Sequence, residues 1–325
     1  MNLRLTEPGT RLHVRNGLLL VQRKDQADLS FSFEDIKRIY LTRRCTLSGE
    51  VLFTAVRHQI EVILADRRGK HYGSFYSEEY KDKGSLRKAQ ALFHHTESAL
   101  NWVTELVGQK LLNQMLLLHA FANEKGVELD KLNKALSGIQ RAYNRVQGLE
   151  GKNLMQRCAS LRGMEGTGSV HYFKGLNALL PEFYRFEKRS QHPAVDPFNA
   201  LLNYGYGILY GIIEADLLKA GLDPSMGVLH ADSYGKPVLT FDIIELFRWW
   251  VDYPLIELAR AELFDPGFFE FNEDSCTLDI SARRVVAQSV HSFLSQTVEW
   301  RGLSRSRENH IQNYCHQFSD IILTA

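Results

Sequence analysis

The pattern of apolar and polar positions changes once along the chain, near residue 80. From Asn2 to about Phe75, apolar residues form short runs that alternate with polar ones, which predicts β-strands because successive strand side chains point to opposite faces. The Asn16-Gly17 pair predicts a hairpin turn, since both residues tolerate positive φ. The predicted strands are RLHVRNGLLLVQR (which contains this turn), IKRIYL, EVLFTAV, IEVILAD and KHYGSFY.

After the polar segment SEEYKDKGS, residues 77–85, apolar residues recur every three to four positions. This period is typical of amphipathic helices. The chain of 325 residues also exceeds the usual size of one hydrophobic core. We therefore predict an α+β protein with an N-terminal β-strand domain, 1–80, and a mostly α-helical catalytic domain, 86–325. Further helices are predicted over 128–147, 151–162, 169–180, 197–220, 240–263 and 281–299.

The composition is that of a folded chain, with 44% hydrophobic and 24% charged residues, so it is not disordered. A net charge of +1 from 39 basic and 38 acidic residues neither requires nor excludes nucleic acid, because a neutral total can hide a basic face. The four cysteines form no CxxC pair, which argues against a zinc knuckle or a disulfide framework. The chain shows neither a signal-peptide pattern at its start nor an apolar run long enough to span a bilayer. We expect a cytoplasmic protein with no membrane partner.

Two peptides contain candidate metal ligands. Glu165 lies among glycines in GMEGTGSVHYF, where on its own it is typical of a solvated side chain at a helix start. His230 precedes Asp242 and Glu245, and on a helix this i, i+3 spacing places both carboxylates on one face about 5 to 6 Å apart. Such a pair in an apolar segment needs a cation, although an ordinary surface face explains it equally well. One imidazole with two or three carboxylates suits Mg²⁺ or Mn²⁺ better than zinc, and such a metal suits phosphodiester chemistry.

Ordered motifs around these peptides identify a family. An early helical region contains Lys110, Asn113 and Gln114, and Glu165-Gly166 precedes Tyr172-Phe173. The motifs that follow are Asp-Pro-x-Asn-Ala-Leu-Leu from Asp196, Gly-Tyr at Gly205, Gly-x-x-His ending at His230, and Asp-x-x-Glu-x-x-Arg from Asp242 to Arg248. In this order, over nearly the whole length, the chain resembles the CRISPR-associated adaptation integrase and endonuclease family. One departure is Val170, where many members carry Arg or Lys, which puts a DNA-phosphate contact there in doubt.

The resemblance implies a fold, a site and partners. The N-terminal domain would be a β-sandwich that joins two copies into a homodimer, and a small ferredoxin-like CRISPR-associated protein would bridge dimers. Glu165, His230 and Glu245 would bind Mg²⁺ or Mn²⁺, with Asp242 as an auxiliary catalytic carboxylate. The implied reaction inserts new spacer DNA into a CRISPR array by transesterification, on double-stranded or branched DNA. From spacing alone, Asp242 and Glu245 are equal candidates for the direct ligand.

Four cations are candidate DNA contacts. Lys236 follows His230 in a loop, and Arg185 and Arg189 lie in the basic stretch RFEKRSQHP. Arg248 lies one helical turn beyond Glu245, where a structural ion pair is at least as good an explanation. Two other functions are compatible with these residues: a non-catalytic DNA-binding scaffold of an adaptation or transposition complex, and a metal-dependent hydrolase of RNA or small phosphoesters.

Overall fold

A computed structural model describes residues 2–5, 7–24, 26–66, 71–75, 83–149, 154–191, 193–230 and 235–325. The chain forms two compact units, residues 1–81 and 82–325, each with its own hydrophobic core. The boundary between the units therefore lies within the polar segment at which the hydrophobic period changes.

The N-terminal unit contains two four-stranded sheets. Its strands are β1 (Asn2–Leu5), β2 (Arg11–Arg15), β3 (Leu18–Gln22), β4 (Leu29–Ser32), β5 (Arg38–Leu41), β6 (Thr46–Leu47), β7 (Glu61–Ala65) and β8 (His71–Phe75). One sheet has the order β1-β5-β7-β8 and the other β4-β3-β2-β6. Leu3 and Ile39 of the first sheet share a core with Leu12 and Leu19 of the second.

The hairpin predicted at Asn16-Gly17 is confirmed. Strands β2 and β3 pair antiparallel from Arg15 and Leu18 outward, and the two turn residues have φ of 53° and 76°. Most side chains with a Cβ are strained at such angles, whereas Asn tolerates them and Gly has no Cβ, so these two residues are expected there.

One predicted strand of this unit is wrong. EVLFTAV lies in helix α1 (Gly49–Arg57), not in a sheet. Its buried residues, Val51 and Ala55, are four positions apart, and Phe53 between them is exposed. That spacing is helical, and seven residues were too few to separate it from a strand by periodicity.

The second unit is built mainly from helices. They are α2 (Lys83–Leu92), α3 (Glu97–Ala120), α4 (Leu129–Gln147), α5 (Leu154–Leu179), α6 (Pro197–Lys219), α7 (Val238–Ile243), α8 (Trp249–Arg260), α9 (Ile280–Ser295) and α10 (Arg307–Thr324). Two hairpins that the sequence reading missed also occur, β9–β10 (Phe269–Asn272, Ser275–Leu278) and β11–β12 (Thr297–Trp300, Leu303–Ser306). The predicted α+β fold class is confirmed. Within the described ranges, no helix is both long and apolar enough to cross a membrane.

Two helix predictions need correction where they approach the site. The helices predicted over 151–162 and 169–180 are not separate: residues 154–162 and 169–179 belong to the single helix α5, which runs through the glycines around Glu165. Residues 151–153 lie outside the described residues. A Cβ at Gly168 would lie 2.3 Å from Leu111, so this glycine permits the close approach of α5 to α3. The helix predicted over 240–263 is interrupted: α7 tightens into a 3₁₀ turn, Ile244–Leu246, before α8 begins.

Candidate active site

A lysine lies between two of the predicted ligands. The Nζ of Lys110 donates a hydrogen bond to Glu165, and it lies 2.5 Å from Oε2 of Glu245. The side chains of Lys110 and Glu245 are only 5% and 6% exposed. Buried charges are stable only when they are paired, so this ammonium is what allows the two carboxylates to face each other.

Three elements hold this group together. Helix α3 carries Lys110, α5 carries Glu165, and the 3₁₀ turn carries Glu245. Asn113, one turn after Lys110, donates from Nδ2 to the carbonyl of Leu246 at 2.9 Å. This bond fixes the 3₁₀ turn on α3 and therefore fixes Glu245 opposite the lysine.

Glu165 lies in the interior of α5 and not at a helix start, contrary to the sequence reading. Ser169, one turn later, donates to Glu165 Oε1 at 3.0 Å. Burial opposes ionisation of this carboxyl, but the charge and hydrogen bond of Lys110, helped by Ser169, outweigh it and lower its pKa. Glu165 is therefore an anion at neutral pH.

Asp242 is a fully buried carboxylate with a different set of partners. It accepts hydrogen bonds from the backbone N–H groups of Val228 (2.6 Å), Leu229 (3.0 Å) and His230 (3.1 Å). Its Oδ1 also lies 2.6 Å from Nδ1 of His230. The hydrogen bond to Asp242 raises the pKa of the His230 imidazole against the effect of burial, and the charges of Glu245 and Glu165 act in the same direction.

The expectation that Asp242 and Glu245 share one cation is wrong. The chain changes from α-helix to 3₁₀ turn between them, and each carboxylate has its own partners. Asp242 holds the loop that carries His230, whereas Glu245 faces Lys110 and Arg248. This geometry favours Glu245 over Asp242 as a direct ligand.

Arg248 closes the other side of Glu245. Its Nη2 lies 2.9 Å from Glu245 Oε1 and donates to the hydroxyl of Tyr210 at 3.1 Å. Its guanidinium also lies over the ring of Tyr206, 5.0 Å from the centroid. The structural ion pair is thus the role that the geometry assigns to Arg248, and its DNA contact stays a prediction.

Behind Arg248 lies a buried carboxyl that the sequence reading did not single out. Asp252 accepts hydrogen bonds from Tyr172 (2.5 Å) and Tyr206 (2.6 Å). Burial raises its pKa to about 6, although the two tyrosine hydrogen bonds act in the opposite direction. Asp252 lines a small cleft whose wall also includes Lys110 and Glu245.

The other predicted DNA contacts differ in how accessible they are. Arg189 donates to Asn199 (2.9 Å) and to Asn203 (2.6 Å), so its guanidinium is bound within the fold, and its DNA contact stays a prediction. Arg185 pairs with Glu128 at 2.8 Å. Lys236 is exposed, and its DNA contact stays a prediction.

The predicted metal ligands do not form a closed metal site in the described part of the chain. Among the residues described, no three His, Cys, Asp or Glu side chains are close enough to hold an ion, because Lys110 lies between the carboxylates and His230 faces Asp242. The chemistry of the group nevertheless fits a divalent cation. Two carboxylates already converge on one positive charge, and an imidazole whose Nδ1 is bound to a carboxylate presents Nε2 as a ligand.

Comparisons with known proteins agree with this architecture. Over 299 residues the chain is 31% identical to a CRISPR-associated endonuclease Cas1 of Thermus thermophilus, covering 92% of this chain and 88% of that one. The fold matches a casposase bound to integration product, with a TM-score of 0.75, 20% identity, and coverage of 99% of this chain and 90% of the other. It also matches a chain of a Cas6-RT-Cas1–Cas2 complex, with a TM-score of 0.77, 24% identity, and coverage of 100% and 35%.

The two-unit fold, the convergent carboxylates and the 31% identity to an endonuclease indicate a protein of the nuclease class. The family model described as CRISPR associated protein Cas1 matches residues 3–292, and the chain belongs to that family. The family recognised from the ordered motifs is therefore confirmed, and so is the CRISPR-adaptation function at the level of the family.

Sequence reasoning missed two residues of the site. Lys110 was placed only in an early helical motif, although a lysine in the apolar segment of α3 signals a buried ion pair. Asp252 follows Trp249-Trp250 in an equally apolar segment and carries the same kind of signal.

Proposed function

We propose that this chain is a metal-dependent DNA integrase and endonuclease, which joins a DNA 3′-hydroxyl to a phosphodiester and cleaves branched DNA. The observation that carries the proposal is the convergence of Glu165 and Glu245 on one buried cation, beside an imidazole oriented by Asp242. Cas1 family membership makes phosphodiester chemistry the activity to test first.

Glu165, Glu245 and Nε2 of His230 would hold Mg²⁺ or Mn²⁺. When bound, such an ion supplies charge for the phosphate oxygens and lowers the pKa of an attacking hydroxyl. The two carboxylates and the imidazole are hard oxygen and nitrogen donors, which these metals prefer, and no thiol contacts them among the residues described.

The chain's own residues prepare this site. Asp242 orients the imidazole of His230 and fixes the loop that carries it, and Arg248 holds Glu245 in place. Lys110 neutralises the carboxylates, and its flexible side chain reaches the wall of the cleft, where it can turn toward a DNA phosphate.

The proposed substrates and partners come from the relatives. The casposase structure contains an integration product, and another matched structure is a Cas1–Cas2 complex. We propose double-stranded and branched DNA as substrate, a homodimer formed through the N-terminal unit, and a small ferredoxin-like partner protein.

The test is a joining and cleavage assay with labelled branched DNA, run with Mn²⁺, with Mg²⁺ and with EDTA. We expect metal-dependent joined and cut products from the wild type. Glu165→Gln, Glu245→Gln and His230→Ala should each lower turnover by roughly 100-fold or more, because each loses a donor that stabilises the transition state. Glu182→Gln, an exposed change outside the site, is the matched control.

Wild-type turnover in any of the three site variants would overturn the ligand assignment. Tight DNA binding by the wild type without turnover in either metal would instead support the non-catalytic scaffold. Equal turnover of RNA or a small phosphodiester would support the general hydrolase.

A further inference from the structure

One face of α4 carries only positive charge. Three of its exposed residues are cations: Lys134 lies four residues before Gly138, Arg141 three residues after it and Arg145 seven residues after it. Residues at these spacings share one side of an α-helix. Helix α4 contains one acidic residue, Asp130, in its first turn; from there to Gln147 it contains no Asp or Glu.

Helix α5 extends this face. A Cβ on Gly138 would lie 2.3 Å from the ring of His171, so the imidazole packs directly on the α4 backbone. Lys174, exposed, follows one turn after His171. Burial and the nearby charges of Arg141 and Lys174 lower the pKa of His171, which places these cations around one ring.

These cations are not used by the fold. Within the described part of the chain, no ion pair involves Lys134, Arg141, Arg145 or Lys174, whereas nearby Lys131 pairs with Glu128 at 2.6 Å. Like charges on adjacent turns repel each other and lower helix stability. A cluster that gains nothing within the fold is explained by an anionic ligand that neutralises it.

We propose that this basic face, formed by Lys134, Arg141, Arg145, His171 and Lys174, binds the sugar-phosphate backbone of duplex DNA. The identity of the polyanion rests on the proposed function. From Lys134 to Arg145 the face extends about 16 Å, because an α-helix rises 1.5 Å per residue. At a rise of 3.4 Å per base pair along the duplex axis, this length corresponds to about five base pairs.

The basic face binds DNA away from the reacting phosphate. Lys174 follows Glu165 by nine residues, which is two and a half helical turns, so the two side chains leave α5 on opposite sides. The duplex held here is therefore a separate stretch of the substrate from the strand at Glu165.

The experiment measures binding without catalysis. Fluorescence anisotropy with a labelled 30-bp duplex in EDTA, over a series of salt concentrations, compares the wild type with Arg141→Ala/Arg145→Ala. Each lost phosphate contact lowers the salt slope by about 0.9, so the double variant should lose about 2. Its affinity near physiological salt should fall roughly tenfold or more. Lys125→Ala/Arg284→Ala removes two exposed cations elsewhere in the unit and should stay within about twofold of wild type.

Unchanged affinity and an unchanged salt slope in the Arg141/Arg145 variant would overturn the proposal that the basic face binds DNA. The same result is expected if this face binds an acidic protein surface instead. An equal loss in the control variant would also overturn the proposal, because the effect would then be one of total charge. The turnover of the wild-type protein, measured in parallel with Mn²⁺, distinguishes the proposed function from the proposed basic face. If the wild type binds the duplex but shows no turnover, the proposed function is refuted and the DNA-binding role of the basic face is not.

Discussion

The helical unit handles positive charge in two opposite ways. At the candidate site, Lys110 and Arg248 are largely buried, and both contact Glu245. On the outer face of α4, Lys134 and Arg141 are exposed and pair with no acid among the residues described. The first pair is part of the folded structure, whereas the second is surplus charge that the fold does not need.

This difference teaches how to separate stability from binding. Removing a buried partner leaves an opposite charge without compensation in a poorly solvated place, which destabilises the protein strongly. Removing an exposed unpaired cation leaves water in its place and changes stability little. The same lysine substitution should therefore destabilise the protein strongly at the candidate site and little on the outer face of α4.

The largest expected effect is at Lys110. In metal-free protein, Lys110→Met should lower the free energy of unfolding by about 3 to 5 kcal/mol, because Glu165 and Glu245 lose their shared cation. Urea unfolding in EDTA measures this, and excess Mn²⁺ should restore part of the loss. Lys134→Met is the matched control, expected within about 0.5 kcal/mol of wild type. Equal effects of the two substitutions would remove the distinction between the regions.

The next effect concerns pH and Asp252, next to the buried cations. Its pKa in the folded protein, about 6, lies above the ordinary 3.8, so the folded state holds this proton more tightly. The stability that this proton contributes is therefore present at low pH and is lost as pH rises from about 4 to about 6. The unfolding free energy of wild type minus that of Asp252→Asn should fall by about 3 kcal/mol over this window. A flat difference curve would show that Asp252 titrates normally.

A smaller effect is expected at Asp242, whose partners are backbone amides and the imidazole of His230. Asp242→Asn places an amide where both carboxylate oxygens accept hydrogen bonds from Val228, Leu229 and His230. The free energy of unfolding should fall by about 1 to 3 kcal/mol, since a buried donor is left without an acceptor. Asp274→Asn, an exposed change, serves as the control in the same denaturant titration. No change at Asp242 would mean that its loop does not depend on these bonds.

The smallest effect on stability is expected on the basic face. Arg145→Ala should change the free energy of unfolding by no more than about 0.5 kcal/mol, since no ion pair is broken. Thermal unfolding measures this change. Arg185→Ala, which breaks the ion pair with Glu128, is measured in the same way, so that an unpaired surface arginine is compared with a paired one. A loss above 1 kcal/mol at Arg145 would show that the fold does depend on it.

Much of the fold could be predicted from local sequence features. Asn16-Gly17 predicts its turn because few residues accept positive φ, and the change of hydrophobic period near residue 80 marks the start of the mainly helical unit. The strand predicted at EVLFTAV failed because seven residues cannot distinguish two periods when Val51 and Ala55 are the only buried positions. Hairpins β9–β10 and β11–β12 were hidden among longer helical patterns.

The site was predictable only as a set of residue types. Motifs placed Glu165, His230 and Glu245 in one family pattern, but spacing could not separate Glu245 from Asp242. The separation depends on the 3₁₀ turn that begins at Ile244 and on the loop amides around Asp242, both of which are tertiary features. The apolar surroundings of Lys110 signal a buried ion pair, but its partner could not be predicted, because Glu165 lies 55 positions away.

The lysine between the two glutamates has a further consequence for electroneutrality. With Glu165 and Glu245 negative and Lys110 and Arg248 positive, this group carries no net charge by itself. A divalent ion entering it creates an excess of positive charge, which a DNA phosphate offsets. Metal and DNA should therefore strengthen each other's binding, and by thermodynamic reciprocity each should do so by the same factor.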